Sequence, residues 1–182
     1  VLINPGDIDT SDSLSVSKII AKCLGSETPD LILCGKQAID DDNMHVGPMV
    51  AELLGMPHIN VVTKLAVNHD DKTATVSREV EGGQKEIYEV RMPCVIGAHK
   101  SLNTPRYTAL PGIMRAKKKP LDRKTLADLG INQEELKQGA PTSVVGYKKP
   151  AGKSPGRIFK DQPVEAMVGE VVELLRSEAK VI

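Results

Sequence analysis

Aromatic residues are scarce in this 182-residue chain, which has three tyrosines, one phenylalanine and no tryptophan. Proteins that bind single-stranded nucleic acids usually stack the bases on aromatic side chains, so this class is disfavoured. A net charge is lacking as well, because 24 Lys and Arg residues balance 24 Asp and Glu residues. The surface as a whole therefore has no field that attracts nucleic acid or an anionic membrane, and any electrostatic function must be local.

Cysteines and long apolar runs are also few. Cys23, Cys34 and Cys94 stand alone without a CxxC spacing, which predicts buried thiols in a reducing compartment and disfavours a metal site or a redox pair. No apolar run approaches the ~20 residues that cross a bilayer, and no signal peptide is visible, so we expect a soluble protein without membrane insertion. Because the chain opens with the strand-like run VLIN and has no initiator Met, we also expect that an N-terminal segment is missing.

What the sequence does contain is an alternation of strand-like and helix-like segments. VLIN looks like the last part of a buried strand, and LILCG is a short, continuous apolar run of the kind found in strands that are buried on both faces of a parallel sheet. Each is followed by a loop and by an apolar pattern of helical period, over 14–24 and 46–54. Ser11 or Asp12 is the predicted N-cap of the first helix. Two such units favour an α/β fold with a doubly wound, mostly parallel sheet of the Rossmann-like, adenine-nucleotide-binding kind.

Residues 58–98 change to a period of two. TATVSREV and KEIYEVRM alternate on either side of the turn EGGQ, in which Gly82 and Gly83 can adopt positive φ. This pattern predicts a β-hairpin, followed by a buried strand at CVIGA. The hairpin would be an antiparallel addition to the sheet.

The remaining chain suggests three regions. A short helix from about Gly112 must end before Pro120, which closes an α/β domain over 1–120. Residues 121–160 are rich in Lys, Gly and Pro, so little in them could form a core, and we expect a linker that runs over a surface. Residues 161–182 contain an amphipathic C-terminal helix that packs on its own domain or on a partner.

The loop DDDNMHVG, which begins at Asp40, is the most distinctive local feature. It lies between a predicted strand and a predicted helix, at the sheet edge where α/β proteins bind ligands. The first turn of the helix offers free N–H groups and a dipole that attracts phosphate, while the carboxylates suit ribose hydroxyls, loop N–H groups or a metal. The alternative, which the residues alone slightly favour, is that one Asp caps the helix and the others are solvated.

Catalytic and metal sites are less well supported by the residues. The acidic loop lacks the alternating spacing of a calcium site, and His45 has no partner nucleophile spaced with it. No Ser-His-Asp grouping, Walker loop or GxGxxG motif is present, so we do not expect an enzyme. The cations of RAKKKP fit the last turn of a helix better than a nucleic-acid or acidic-partner site. In YTALPGIM, apolar side chains beside a proline turn favour protein docking.

Several stretches together, in the same order and over nearly the whole chain, resemble the β subunit of electron transfer flavoprotein. They are GKQAIDDD with VGPMVAELLGMP, VSREVEGG, NTPRYTALPGIMRAKKKP and the helical tail. The resemblance implies an electron carrier subunit without its own catalytic constellation, in a heterodimer whose α subunit holds most of the site for the redox-active FAD. It implies electron transport linked to pathways such as fatty acid oxidation, in the cytoplasm of a bacterium or the mitochondrial matrix of a eukaryote. It also supports truncation, because the family's N-terminal strands and first helix have no counterpart here.

The resemblance also implies a nucleotide site. By position, the family's site carries over to Gly35, Asp41, Asn43, Met44, His45 and Val46. Most members hold structural AMP there, and the electron-bifurcating members hold a second FAD. Bifurcating members typically read Asp-Gly-Asp where this chain has three aspartates, so we favour AMP. Many members have Gln-Val-Gly or Gln-Thr-Gly where this chain has His-Val-Gly, so a side-chain contact to the ligand is expected to differ.

A docking site is implied as well. The family's recognition loop binds acyl-CoA dehydrogenases and similar flavoenzymes, and it carries over to Leu110, Pro111, Ile113 and Met114, with Leu110 as the anchor. The tail helix would clasp the α subunit. Two alternatives remain open: a bifurcating-type subunit with a second FAD, and a stand-alone module that resembles universal stress proteins and binds ATP or AMP as a homodimer.

Overall fold

The computed structural model describes residues 1–153 and 155–182; Ser154, which falls in the predicted linker, lies outside the described residues. The described chain forms two compact units, 1–145 and 146–182. Its helices and strands are, in chain order, β1 (Leu2–Asn4), α1 (Ser13–Gly25), β2 (Leu31–Gly35), α2 (Val46–Leu54), β3 (His58–Asn68), β4 (Thr73–Glu79), β5 (Lys85–Arg91), β6 (Cys94–Ala98), α3 (Leu110–Ala116), β7 (Arg123–Thr125), α4 (Gln133–Gln138) and α5 (Val164–Leu174).

The main sheet of the first unit has five strands in the order β2-β6-β3-β4-β5. Strand β6 pairs in parallel with β2 and with the beginning of β3. The remainder of β3 pairs antiparallel with β4, and β4 pairs antiparallel with β5. The predicted α/β class, with parallel strands, helices and an antiparallel addition, is confirmed.

The antiparallel addition is the predicted hairpin. Strands β4 and β5 are in register from Thr73 opposite Arg91 to Glu79 opposite Lys85. Gly82 and Gly83 adopt φ values of 73° and 75° in the connecting turn, a conformation that costs glycine little. The turn residues therefore fix the register, as the sequence predicts.

The core of the main sheet is a cluster of small and branched side chains, consistent with a chain that has few aromatic residues. Cys94 belongs to it and Cys23 is buried in α1, as predicted, whereas Cys34 is only partly buried. The buried members of the cluster are Val62, Ala74, Val76, Val90, Cys94 and Ile96.

The expectations that VLIN belongs to a buried strand and that LILCG is buried on both faces are wrong. Strand β2 is at the edge of the main sheet, and Leu33 in its middle is 57% exposed. Strand β1 pairs in parallel with β7, in a separate two-stranded sheet, and its burial is only partial. Both segments are strands, but burial on both faces requires other elements to cover each face of the sheet, and the exposure of Leu2 and Leu33 shows that these strands are not covered in this way.

The expectation that little of 121–160 could form a core is wrong for the first part of that region. Leu126 and Leu136 are buried together with Ile8 and Ile19 in a second cluster, which joins the segment after β7 to helix α1. The 1–120, 121–160 and 161–182 division itself stays a prediction.

The second unit contains the predicted amphipathic helix, α5, which continues as a π-helical turn over Leu175–Ala179. Arg157 forms an exposed ion pair with Glu178, with its Nη2 at 3.1 and 3.2 Å from the two carboxylate oxygens. The apolar side chains of Val164, Val168 and Val171 are exposed along one face. Across the described residues, every helix is too short or too polar to span a bilayer.

Candidate functional site

A cleft of about 500 Å³ lies between two loops of the first unit. One loop connects β1 to α1, and the other connects β2 to α2, so each follows the carboxyl end of a strand and leads into a helix. All six residues that the family resemblance assigns to a nucleotide site line this one cleft, namely Gly35, Asp41, Asn43, Met44, His45 and Val46. What they bind stays a prediction, but the structure brings them together.

The start of helix α2 forms one wall of the cleft. Helix geometry leaves the N–H groups of Val46 and Gly47 without an acceptor inside the helix, and Pro48 has no N–H to satisfy. His45 is the N-cap residue but makes no side-chain capping bond. Instead, its own N–H donates to Asn43 Oδ1 at 3.3 Å. The positive end of the α2 dipole therefore faces the cleft with unpaired donors.

Asn43 also joins the two loops. Its Nδ2 donates to Ser13 Oγ, at 3.2 Å, at the first residue of α1. With one side-chain atom bonded to His45 and the other to Ser13, Asn43 is already engaged within the protein. It therefore fixes the spacing of the two helix starts across the cleft.

The three aspartates are exposed and do not act alike. Asp40 Oδ1 accepts from the Asp41 N–H at 3.1 Å, and both residues line the cleft. Asp42 accepts a hydrogen bond from Gln37 and is not part of the lining. The alternative in which one of them caps α2 is wrong, because His45 occupies the N-cap position.

Asp12, the N-cap of α1, lies between Ser11 and Ser13, which line the cleft, but is not part of the lining itself. It is 3% exposed, and its carboxylate accepts from the Ser15 N–H and from Thr142 Oγ1, both at 2.8 Å. Burial opposes ionisation, but hydrogen bonds from Ser15 and Thr142 outweigh it, so the pKa of Asp12 lies below its ordinary value. Of the two predicted N-caps, Asp12 is the one that caps α1.

The base of α2 packs closely on its surroundings. A Cβ on Gly47 would lie 2.9 Å from Cys34 Sγ and 3.4 Å from His58 Nε2, so this glycine permits the helix to approach β2 and β3. Burial raises the pKa of the Cys34 thiol. Burial also lowers the pKa of His58, and the nearby Arg78 guanidinium lowers it further, so His58 is neutral at physiological pH. Its buried Nε2 has no hydrogen-bond partner among the described residues.

The predicted docking residues lie away from this cleft, at the start of α3. Leu110 is 71% exposed, and Ile113 and Met114 are also exposed. Pro111 occupies the first turn of the helix, which begins two residues earlier than predicted. Apolar side chains that stand in solvent on a proline-started helix could insert into a partner's pocket, and this role stays a prediction.

Sequence reasoning missed the contribution of the first loop to the cleft. Thr10, Ser11 and Ser13 line it, as do Lys36 and Gln37 from the second loop. The sequence did contain a signal for this loop, because residues 5–12 also follow a predicted strand and precede a predicted helix.

Lys36 supplies the cationic side chain of the lining, opposite in charge to Asp40 and Asp41. Within the described residues no group of three His, Cys, Asp or Glu side chains is arranged to hold a metal ion.

Comparison with known proteins identifies the family. The model of the electron transfer flavoprotein domain matches residues 1–129. The electron transfer flavoprotein subunit beta of Bacillus subtilis is 41% identical over 183 residues, which cover 100% of this chain and 69% of that protein. The subunit of Bradyrhizobium diazoefficiens is 40% identical, covering 95% of this chain and 64% of that protein. The mitochondrial subunit of Arabidopsis thaliana is 37% identical, covering 93% and 62%.

This chain thus spans between 62% and 69% of the length of these three relatives. Both bacterial and mitochondrial proteins are among them. The aligned stretches cover between 93% and 100% of this chain. The chain belongs to the electron transfer flavoprotein family and is related to its β subunits.

Proposed function

We propose that the cleft binds the phosphate and ribose of an adenine nucleotide, AMP in the first instance, and that the chain acts as the β subunit of an electron transfer flavoprotein. The observation that carries the proposal is the convergence of six residues, assigned by resemblance alone, on one cleft beside the start of α2. In this arrangement the subunit forms a heterodimer with an α subunit that holds most of the FAD site. The β chain positions partners and performs no bond-making chemistry of its own.

The charges of the cleft match the two ends of a nucleotide. The N–H groups of Val46 and Gly47 and the side chain of Lys36 favour phosphate oxygens. Asp40 and Asp41 would repel a phosphate but accept hydrogen bonds from ribose hydroxyls. A nucleotide would therefore lie with its phosphate at α2 and its sugar towards the acidic loop.

Nucleotide content is the direct test. The natively purified protein should release AMP in amounts equal to the β chain, measured by mass spectrometry. Gly35→Met should abolish this, because Gly35 lines the cleft, has no positive φ, and a Cβ there meets nothing within 4 Å. The side chain would therefore fill the cleft without disturbing the fold.

Gly152→Met is the matched control, since Gly152 has equally open surroundings and lies in the second unit. This variant should retain AMP. Release of two FAD molecules per heterodimer would mean that the cleft holds a second flavin instead of AMP. A colourless homodimer without a flavin would contradict the assignment as a flavoprotein subunit.

Docking of flavoenzymes of the acyl-CoA dehydrogenase type is assigned to α3, with Leu110 as the anchor. An anchor that becomes fully buried in a partner's pocket contributes about 2 kcal/mol, which corresponds to a change in affinity of about 30-fold. Leu110→Ala should therefore weaken electron transfer from a reduced dehydrogenase by this order and leave flavin and AMP content unchanged. Rapid-mixing kinetics at several dehydrogenase concentrations measures the effect.

Ile87→Ala is the control for Leu110. Ile87 on β5 is 74% exposed, against 71% for Leu110, so the two substitutions remove similar apolar surface. Equal transfer rates for Leu110→Ala and the unmodified protein would rule out the anchor. A similar loss in both variants would show that exposed apolar area in general, and not α3, promotes docking.

A further inference from the structure

Strand β3 is interrupted by a bulge directly beneath the acidic loop. Its pairing with β6 shifts register between Ile59 and Val62, and Val61 within the bulge has φ of 60°. A β-branched residue rarely adopts this left-handed conformation, which persists only when neighbouring contacts enforce it. One such contact is the hydrogen bond from the Val61 N–H to the Asn60 side chain.

The Asn60 side chain uses both of its polar atoms. Its Oδ1 accepts from the Val61 N–H at 2.9 Å, which satisfies the backbone at the bulge. Its Nδ2 lies 3.4 Å from the Lys36 carbonyl oxygen and 3.6 Å from Met44 Sδ. Lys36 and Met44 begin and end the loop that lines the cleft, so one amide contacts both ends of this loop.

Gly97 of β6 makes room for this amide. A Cβ on Gly97 would lie 1.8 Å from Asn60 Oδ1 and 2.7 Å from Asn60 Cγ. Any other residue at 97 would displace the side chain of Asn60. The Asn60 amide on β3 can therefore occupy this place only because the facing residue on β6 is a glycine.

We propose that Asn60 is a positioning residue for the cleft: seated on Gly97, it holds the Lys36–Met44 loop at the spacing that nucleotide binding requires. This inference rests on the proposed nucleotide-binding function. It goes beyond that function because Asn60 and Gly97 are not in the cleft lining. Met44 also has a positive φ, 54°, so the loop itself is strained and needs support from outside.

The test is a double-mutant cycle on AMP affinity, measured by calorimetry on the natively assembled, nucleotide-stripped protein. Asn60→Ala should weaken binding about tenfold, the equivalent of one lost hydrogen bond of ~1.4 kcal/mol. Gly97→Ala should weaken it similarly, because the new methyl group displaces the amide. In the double variant the methyl group at position 97 no longer meets the amide and keeps only a contact of 3.2 Å with the Cα at position 60. Its loss of affinity should therefore be clearly smaller than the sum of the two single losses.

Asn68→Ala is the matched control. Asn68 is on the same strand, and among the described residues its side chain bonds only within the turn between β3 and β4, to the Asp71 carboxylate and to the N–H groups of Asp70 and Asp71. This variant should bind AMP normally. Hydrogen exchange of the amides from Lys36 to His45 provides a readout that needs no ligand, and it should accelerate in Asn60→Ala but not in Asn68→Ala.

The outcomes separate the two proposals. Normal AMP affinity in Asn60→Ala with unchanged exchange of the loop would overturn the positioning role and leave the nucleotide site intact. Additive losses in the double variant would also overturn it, because they would mean that Gly97 acts independently of the amide. Absence of AMP binding in the unmodified protein would refute the nucleotide site, and the exchange measurement would still decide whether Asn60 holds the loop.

Discussion

Removing the Asp12 carboxylate should destabilise the first unit strongly for a single side chain. Asp12→Ala loses the cap of α1, which is typically ~1 kcal/mol, and the hydrogen bond from Thr142 to a charged acceptor, ~1.5–3 kcal/mol. Because Asp12 is 3% exposed, water cannot replace either bond. We expect a loss of about 2–4 kcal/mol in the free energy of unfolding, or a fall of about 1–2 M in the urea midpoint.

Ser11 is the matched control because it is the neighbouring candidate cap. Its hydroxyl is exposed and, within the part of the chain that the structure describes, bonds only Asp9, at 2.7 Å, so Ser11→Ala should stay within about 0.5 kcal/mol. Thr142→Val should destabilise the protein by part of the amount that Asp12→Ala does, and the double variant of Asp12 and Thr142 should be no less stable than Asp12→Ala. Urea unfolding followed by circular dichroism measures the four variants and the unmodified protein.

The pH dependence of the Asp12 effect has a definite sign. The folded-state pKa of Asp12 is below its unfolded value, so its contribution is fully present above the unfolded pKa and is lost as pH falls through the folded pKa. The difference between the unmodified protein and Asp12→Ala should therefore shrink in acid. The reasoning is refuted if Ser11→Ala is as destabilising as Asp12→Ala, or if the difference grows in acid.

Three further predictions concern the packing at Gly47, the pH dependence that His58 causes, and the exposed face of α5. Gly47→Ala should cost about 1–3 kcal/mol of stability through overpacking, measured by urea unfolding, and Cys34→Ala should restore much of it by removing the sulfur that the new methyl meets. The unmodified protein should lose stability as pH falls below about 6.5, because the lowered folded-state pKa of His58 means that the unfolded state binds the proton first. His58→Gln should not show this loss. Parallel curves of stability against pH for the two proteins would contradict the prediction. Val168→Ser should weaken the heterodimer in sedimentation, whereas Glu170→Ser on the opposite face of α5 should not, if the exposed Val168 face contacts the α subunit.

The features that the sequence predicts well are those that local residues determine. The β4–β5 hairpin follows from alternation over seven residues on each side of Gly82 and Gly83. Helix α2 ends at Gly55 with φ of 65°, as a glycine C-cap requires. The cleft is predictable for the same reason, because a loop between a strand and a helix must reach the sheet edge whatever else surrounds it.

The features that it misses depend on distant partners. LILCG has the composition of a fully buried strand, yet Leu33 is exposed, because the burial of a strand depends on the elements that cover the two faces of the sheet. Strand β3 has no simple signal, because it pairs in parallel with β6 and antiparallel with β4, and the bulge at Asn60 and Val61 shifts its alternation midway. Leu126 and Leu136 lie in a region rich in Lys, Gly and Pro without a clear apolar period, and their burial depends on contacts with Ile8 and Ile19 far away in the sequence.

The acidic loop is less costly than three adjacent charges suggest. All three carboxylates are exposed, and unit charges at 4 Å in water interact by only about 1 kcal/mol. Asp40 accepts a bond from the next N–H and Asp42 accepts one from Gln37, so their negative charges are turned towards donors. The larger cost is in the backbone, where Asp42, Met44 and Val61 all adopt positive φ, at ~1–3 kcal/mol each. The Asn60 amide contacts Met44 and the Val61 N–H, so it supports two of these three strained residues.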